Sequence, residues 1–149
     1  METIVVGIDG SEVGAAALEF AAHEAALHQA RLRVIVAWQI PYAAYAGGLM
    51  PPTDLRETVQ QEAEALAKQA ADRALELEPS VYCEHEAVEG HPAEVLTNES
   101  RNASLVVVGS RGHGGFASLL LGSISHQVAQ HAHCAVAIVP HAAEEPTGR

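Results

Sequence analysis

The sequence predicts an α/β fold, a doubly wound five-stranded parallel sheet with helices on both faces. Three observations carry this expectation. Short apolar runs rich in valine and isoleucine recur along the chain, and segments with helical periodicity separate them. The connections are too long for hairpins, so the strands pair in parallel through right-handed crossovers.

The first strand is expected over residues 3–9 (TIVVGID), a β-branched run suited to burial on both faces. Gly10 and Ser11 follow, with Ser11 placed to cap a helix. That helix should run through alanine-rich sequence to about residue 30, with Val13, Ala17, Phe20, Glu24 and Leu27 near one face. Glu24 makes the stripe imperfect. Residues 33–39 (RVIVAWQ) read as the second strand, followed by a loop holding Tyr42, Tyr45, Gly47, Gly48, Pro51 and Pro52. Thr53 or Asp54 with Glu57 resembles a capping box. From there Leu55, Val59, Ala63, Leu66, Ala70, Ala74 and Leu77 keep the steps of an amphipathic helix that Pro79 and Ser80 end.

Residues 81–88 form a more polar strand, expected toward one sheet edge. Gly90, His91 and Pro92 open a short helix, with Pro92 suited to its first turn. Residues 105–110 (LVVVGS) are a buried strand; after a glycine-rich loop a helix is expected from Ser123 to His131, and residues 135–139 (AVAIV) are the last strand. The tail from His141 onward is expected to be disordered. In doubly wound sheets ligands bind beyond the carboxyl ends of the strands where strand order reverses, which points to Asp9 and Gly109.

Composition excludes some classes. With 149 residues the chain is expected to be one domain. Its formal net charge is −11 and Lys68 is its single lysine. Nucleic-acid binding needs clustered Lys and Arg, so that class is excluded. An anionic nucleotide is not, because salt screens exposed charges beyond about 8 Å and a pocket is decided by the groups that touch the ligand. The N-terminus lacks a basic region and a small-residue cleavage site, and no membrane-length apolar run occurs, so a cytoplasmic protein is expected. Cys83 and Cys134 read as buried small hydrophobes, and no C-x-x-C pattern is present.

The densest signal runs from Val108 through Gly109, Ser110, Arg111, Gly112, His113, Gly114 and Gly115 to Gly122, Ser123, Ile124 and Ser125. Glycines let the backbone approach a ligand, and successive N–H groups form a nest for phosphate oxygens. Ser123 and Ser125 stand where a helix begins, so their hydroxyls and the unpaired helix N–H groups are expected to point the same way. Composition alone reads the segment equally well as a surface loop; its place between a buried strand and a helix start favours a site. Neither G-x-x-x-x-G-K-[ST] nor a G-x-G-x-x-G after the first strand is present.

Gly109-x2-Gly112-x9-Gly122-Ser123 is similar to the G-2x-G-9x-G-(S/T) pattern of ATP-binding universal stress proteins. The resemblance spans nearly the whole chain and includes VGIDGS, HPAEVL, LVVVGSRG, LLLGSIS and HAHCAVAIV. It implies one Rossmann-like domain of that family, similar to the adenine nucleotide alpha hydrolases, over residues 1–140. It also implies ATP and Mg2+ as ligands. Gly7 and Asp9 would line the site, with the Asp9 carboxylate near ribose hydroxyls or Mg2+. Ala37 would contact adenine through its main chain, Val108 and Gly109 would approach the ribose, and Gly112, Gly122, Ser123 and Ser125 the phosphates. Arg111 and His113 would add charge, although Arg111 reads more readily as a solvated loop residue. The resemblance implies a homodimer through Ala135–Val139, with Leu119, Leu120 and Leu121 either joining that contact or buried within one chain. Two departures are Asn102-Ala103-Ser104, where the family commonly has an aspartate, and Ala135 in place of a proline; both bear on packing.

The histidines do not assemble a site. His23 and His28 do not share a helix face at a ligand spacing, and His126, His131 and His133 straddle a helix end where cations suit the dipole. No Ser-His-Asp set or carboxylate pair is identified. A regulatory or sensor protein that binds ATP is the expected function, with a nucleotide-independent stress-tolerance protein or a slow ATPase as alternatives.

Overall fold

Among the described residues five short strands lie side by side in parallel: β1 (Thr3–Gly7), β2 (Arg31–Trp38), β3 (Cys83–Glu89), β4 (Leu105–Gly109) and β5 (Ala135–Val139). Their order is β3-β2-β1-β4-β5. The computed structural model describes residues 1–10, 12–40, 53–110 and 122–140. Between the strands run α1 (Glu12–His28), α2 (Thr53–Leu77), α3 (Pro92–Glu99) and α4 (Ser123–His131). Ser11, the loop tyrosines, glycines and prolines between residues 41 and 52, Leu119 to Leu121 and the tail from His141 lie outside the described residues.

Strand alternation divides the buried residues into two cores. Ile4, Val6, Leu32, Val34, Val36 and Val107 meet α1 and α2 on one face. Val5, Ile35, Val106 and Val108 meet Ala93, Val95 and Leu96 of α3 and Val128 of α4 on the other. Burial on both sides is why β1 and β4 read as continuous apolar runs rather than alternating ones. The sheet, its parallel pairing and its helices on both faces agree with the fold expected from sequence.

The boundaries shift by a residue or two. β1 ends at Gly7 rather than Asp9, although the Ile8 N–H still donates to the Ile35 carbonyl at 3.0 Å. Gly10 then turns the chain at φ 88, a backbone that side chains resist. α1 closes at Gln29, whose φ of 52 is left-handed. The Gln29 and Ala30 N–H groups donate to the carbonyls of Ala26 and Ala25, the pattern a glycine more often closes. α2 begins at Thr53, which puts Asp54 inside its first turn rather than at a cap.

The packed face of α1 differs from the expected stripe. Ala17, Leu18, Ala21, Ala22 and Ala25 are buried, whereas Phe20 is 38% and Leu27 63% exposed. The alanines let the helix axis come close to the sheet, so the small residues form the interface and the large ones lie outside it. α2 repeats the pattern: Ala63, Ala67, Ala70, Ala71 and Ala74 are buried, with Val59 and Leu66 on its flank. β3, the polar strand, takes one sheet edge, and β5 takes the other. Neither cysteine is fully buried; Cys83 and Cys134 are both half-buried.

Candidate functional site

Strand order reverses between β1 and β4, because chain progression runs outward to β2 and β3 on one side and to β5 on the other. Val6 pairs with Val107, so β1 and β4 end at nearly the same level and their following residues flank one crevice. Asp9 is exposed at the end of the first of these strands. Gly109 ends the second, and Val108 before it is buried. Ala37, two residues beyond the Ile35 that pairs with Gly7, is half-buried on β2 and packs on the α3 side.

The exit from β4 and the entry to α4 are held together. The Gly122 N–H donates to the Ser110 carbonyl at 2.5 Å, and the Ser125 hydroxyl donates to the same carbonyl at 2.8 Å. The Ser125 oxygen also lies 3.1 Å from the Gly122 carbonyl. Ser110 is fixed from below by its own N–H, which donates to the Val139 carbonyl of β5 at 2.8 Å. The end of β4 and the start of α4 therefore meet at Ser110 and Gly122.

α4 begins with Gly122 as its cap, at φ −72 and ψ 165. Its ladder opens with the His126 N–H donating to the Gly122 carbonyl at 3.0 Å. The N–H groups of Ser123, Ile124 and Ser125 thus have no acceptor within the helix, and they carry the positive end of its dipole. By contrast, α3 is capped from its own chain: Nδ1 of His91 accepts from the Ala93 N–H at 3.3 Å.

Two sequence expectations change here. The hydroxyls of Ser123 and Ser125 do not lie together, because Ser123 is exposed while Ser125 is 2% exposed with its hydroxyl held by backbone carbonyls. At Gly7, the space a Cβ would fill belongs to α3: an added Cβ would stand 2.7 Å from Cδ1 of Leu96. Arg111, Gly112, His113, Gly114 and Gly115 lie outside the described residues. Sequence reading missed Leu96 over Gly7, the Val139 carbonyl under Ser110, and Ser100. Ser100 is buried, donates to the Thr97 carbonyl and accepts from the His133 N–H at 2.8 Å, joining the end of α3 to the turn before β5. A lone serine at a helix end carries no sequence signal for a partner that far along the chain.

Among the described residues no group of three or more His, Cys, Asp or Glu side chains is placed to hold a metal ion. No described helix is long and apolar enough to cross a membrane. His23 and His28 lie in exposed pairs with Glu78 and Glu24, at 3.4 and 3.1 Å.

Comparison with known proteins places this fold and sequence among relatives. The sequence model of the Universal stress protein family matches residues 1–140. The Bacillus subtilis universal stress protein YxiE is 33% identical over 91% of this chain and 97% of its own length. Universal stress protein MT2052 of Mycobacterium tuberculosis is 33% identical over 96% of this chain; the chain spans about half of that relative, 48%. A universal stress protein crystallised in complex with cAMP superposes with a TM-score of 0.66 at 30% identity, over 93% of this chain and 95% of its own. The chain belongs to the universal stress protein family.

Proposed function

We propose that this protein binds an adenine nucleotide, ATP with Mg2+, at the carboxyl ends of β1 and β4, and that it acts as a regulatory or sensor protein in a stress response. The observation that carries the reading is the meeting of Ser110 and Gly122 beside the reversal of strand order, next to the first N–H groups of α4, which have no acceptor within the helix. A triphosphate offers acceptors only, so a site without lysine needs donors from the main chain, and a helix start supplies them. Each hydrogen bond to a charged oxygen contributes about 1.5–3 kcal/mol, so a few suffice for micromolar affinity. The universal stress protein solved with cAMP supports an adenine ligand for this fold at comparable sequence distance.

In this reading Val108 and Gly109 approach the ribose, Ser123 and Ile124, with Gly112, Gly114, Gly115 and Gly122, surround the phosphates, and Arg111 and His113 add charge. Asp9, exposed at the end of β1, faces ribose hydroxyls or the metal, and Ala37 meets the base through its main chain. Gly7 acts one layer down, as the seat of Leu96 beneath the crevice. Mg2+ would neutralise phosphate charge beside Asp9. Two chains associate through β5 in the cytoplasm, and nucleotide state changes that association or contact with other proteins.

Equilibrium titration with a non-hydrolysable ATP analogue tests the reading. Affinity no tighter than about 1 mM, near −4 kcal/mol, defeats it and favours the nucleotide-independent role. Gly122→Val is expected to abolish binding by blocking phosphate approach while the fold persists. Magnesium-dependent phosphate release lost in Asp9→Ala would favour the slow ATPase.

A further inference from the structure

We infer that Ser125 is a positioning residue: its hydroxyl locks the base of the turn between β4 and α4 and does not itself meet the phosphates. The inference rests on the nucleotide reading above and deepens it. A serine hydroxyl has one proton to donate. Among the described residues its hydrogen-bond partners are two carbonyl oxygens, Ser110 at 2.8 Å and Gly122 at 3.1 Å, so that proton serves the backbone. An ionised phosphate presents acceptors, and a hydroxyl whose proton already serves a carbonyl has nothing to offer it.

Burial agrees. Ser125 is 2% exposed, one of only three buried polar side chains among the described residues, whereas Ser123, two positions earlier, is exposed. The bond also has a definite mechanical effect. The Ser110 carbonyl receives the Gly122 N–H and the Ser125 hydroxyl together, and the Ser110 N–H is tied to Val139 of β5. Without the hydroxyl, the Gly122 N–H would be the one remaining hydrogen bond among the described residues from the start of α4 to the Ser110 carbonyl, while Val128 would still seat the helix body on the second core. The N–H groups of Ser123 and Ile124, which have no acceptor within the helix, would then lose their fixed direction relative to β1 and Asp9. Ser125 therefore acts on phosphate binding through the backbone it immobilises.

The test uses the full chain and three readouts: amide exchange of Gly122 in nucleotide-free protein, affinity for ATP, and affinity for adenosine. In Ser125→Ala, Gly122 exchange should accelerate and ATP affinity fall by about tenfold, the scale of one hydrogen bond, while adenosine affinity holds. Weakened ATP binding with unchanged Gly122 exchange would make the hydroxyl a direct ligand and overturn the inference. Faster Gly122 exchange with unchanged ATP affinity overturns it as well. A parallel loss for ATP and adenosine, with faster exchange at Val6 and Val107, marks a merely structural residue and also overturns it. Ser125→Cys, which keeps the volume and weakens the donor, gives the same reading if the alanine variant unfolds. Wild-type protein that takes up no ATP refutes the nucleotide reading itself, and the positioning role with it.

Discussion

Under the candidate crevice, the backbone of β1 passes so close to α3 that only a residue without Cβ fits at Gly7. A methyl there would stand 2.7 Å from Cδ1 and 3.1 Å from Cδ2 of Leu96, which is itself buried and has little room to retreat. Gly7→Ala is expected to cost about 1–3 kcal/mol by overpacking, read by urea unfolding. Leu96→Val should relieve part of it, so the two changes together cost less than their sum. A second residue-level expectation concerns Cys83. Burial first, then the carboxylates of Glu84 and Asp72, push its thiol up to about 11 from 9.0. The fold thus favours the neutral thiol. That contribution is complete below pH 9 and is lost as pH rises through about 11. Iodoacetamide alkylation in a Cys134→Ser background should therefore run about a hundredfold slower at pH 8 than for an ordinary cysteine. Equal rates would sink the expectation.

Among the elements, α1 shows how small residues decide which side of a helix packs. Its buried face is Ala17, Leu18, Ala21, Ala22 and Ala25 against the sheet, with Phe20 and Leu27 turned outward. Ala21→Leu should destabilise by about 1–3 kcal/mol, whereas Leu27→Gln should stay within about 0.5 kcal/mol, although the second removes the larger hydrophobe. Thermal unfolding of the pair compares them directly. On the other sheet face, Arg33 of β2 ties an edge strand and a helix together. Its guanidinium donates to both Glu99 oxygens of α3 at 2.9 Å and to Glu86 of β3, with Glu84 at 3.6 Å. The Glu99 bonds are the main reason its proton is held more tightly than that of a free arginine, outweighing the opposing effect of burial. Arg33→Leu would leave these carboxylates facing one another, and a loss of about 1–3 kcal/mol is expected. Lys68→Ala, which breaks the exposed pair with Asp72, should cost less than about 0.5 kcal/mol.

At the scale of the whole molecule, the two sheet edges are unlike. β3 is edged with glutamates, which discourage pairing, whereas β5 is apolar along its length and half-exposed at Val136, Ala137, Ile138 and Val139. An open apolar edge invites a second strand, and this is the surface on which the proposed homodimer depends. Sedimentation velocity should show a dimer, and Val136→Lys, whose stem can follow the edge while its charge reaches water, should yield monomers. A wild-type monomer at all concentrations refutes the dimer. The same edge meets the candidate site, since the Val139 carbonyl at the end of β5 holds the Ser110 N–H.

Much of this architecture was legible in the order of residues. Short continuous apolar runs separated by helical segments imply a parallel sheet. The glycines and serines around residues 109–125 point to the junction of β4 and α4, of which the structure describes the meeting of Ser110 and Gly122. The polar character of residues 81–88 placed β3 at an edge, because a central strand is covered on both faces. What tertiary structure decided are contacts between residues distant along the chain. Ser125 meeting Ser110, Leu96 seated on Gly7 and Arg33 reaching Glu99 each depend on which elements become neighbours. The alanine face of α1 belongs here too. Periodicity ranks residues by hydrophobicity, but the closest approach between helix and sheet is set by size, and that distance exists only once both surfaces have come together.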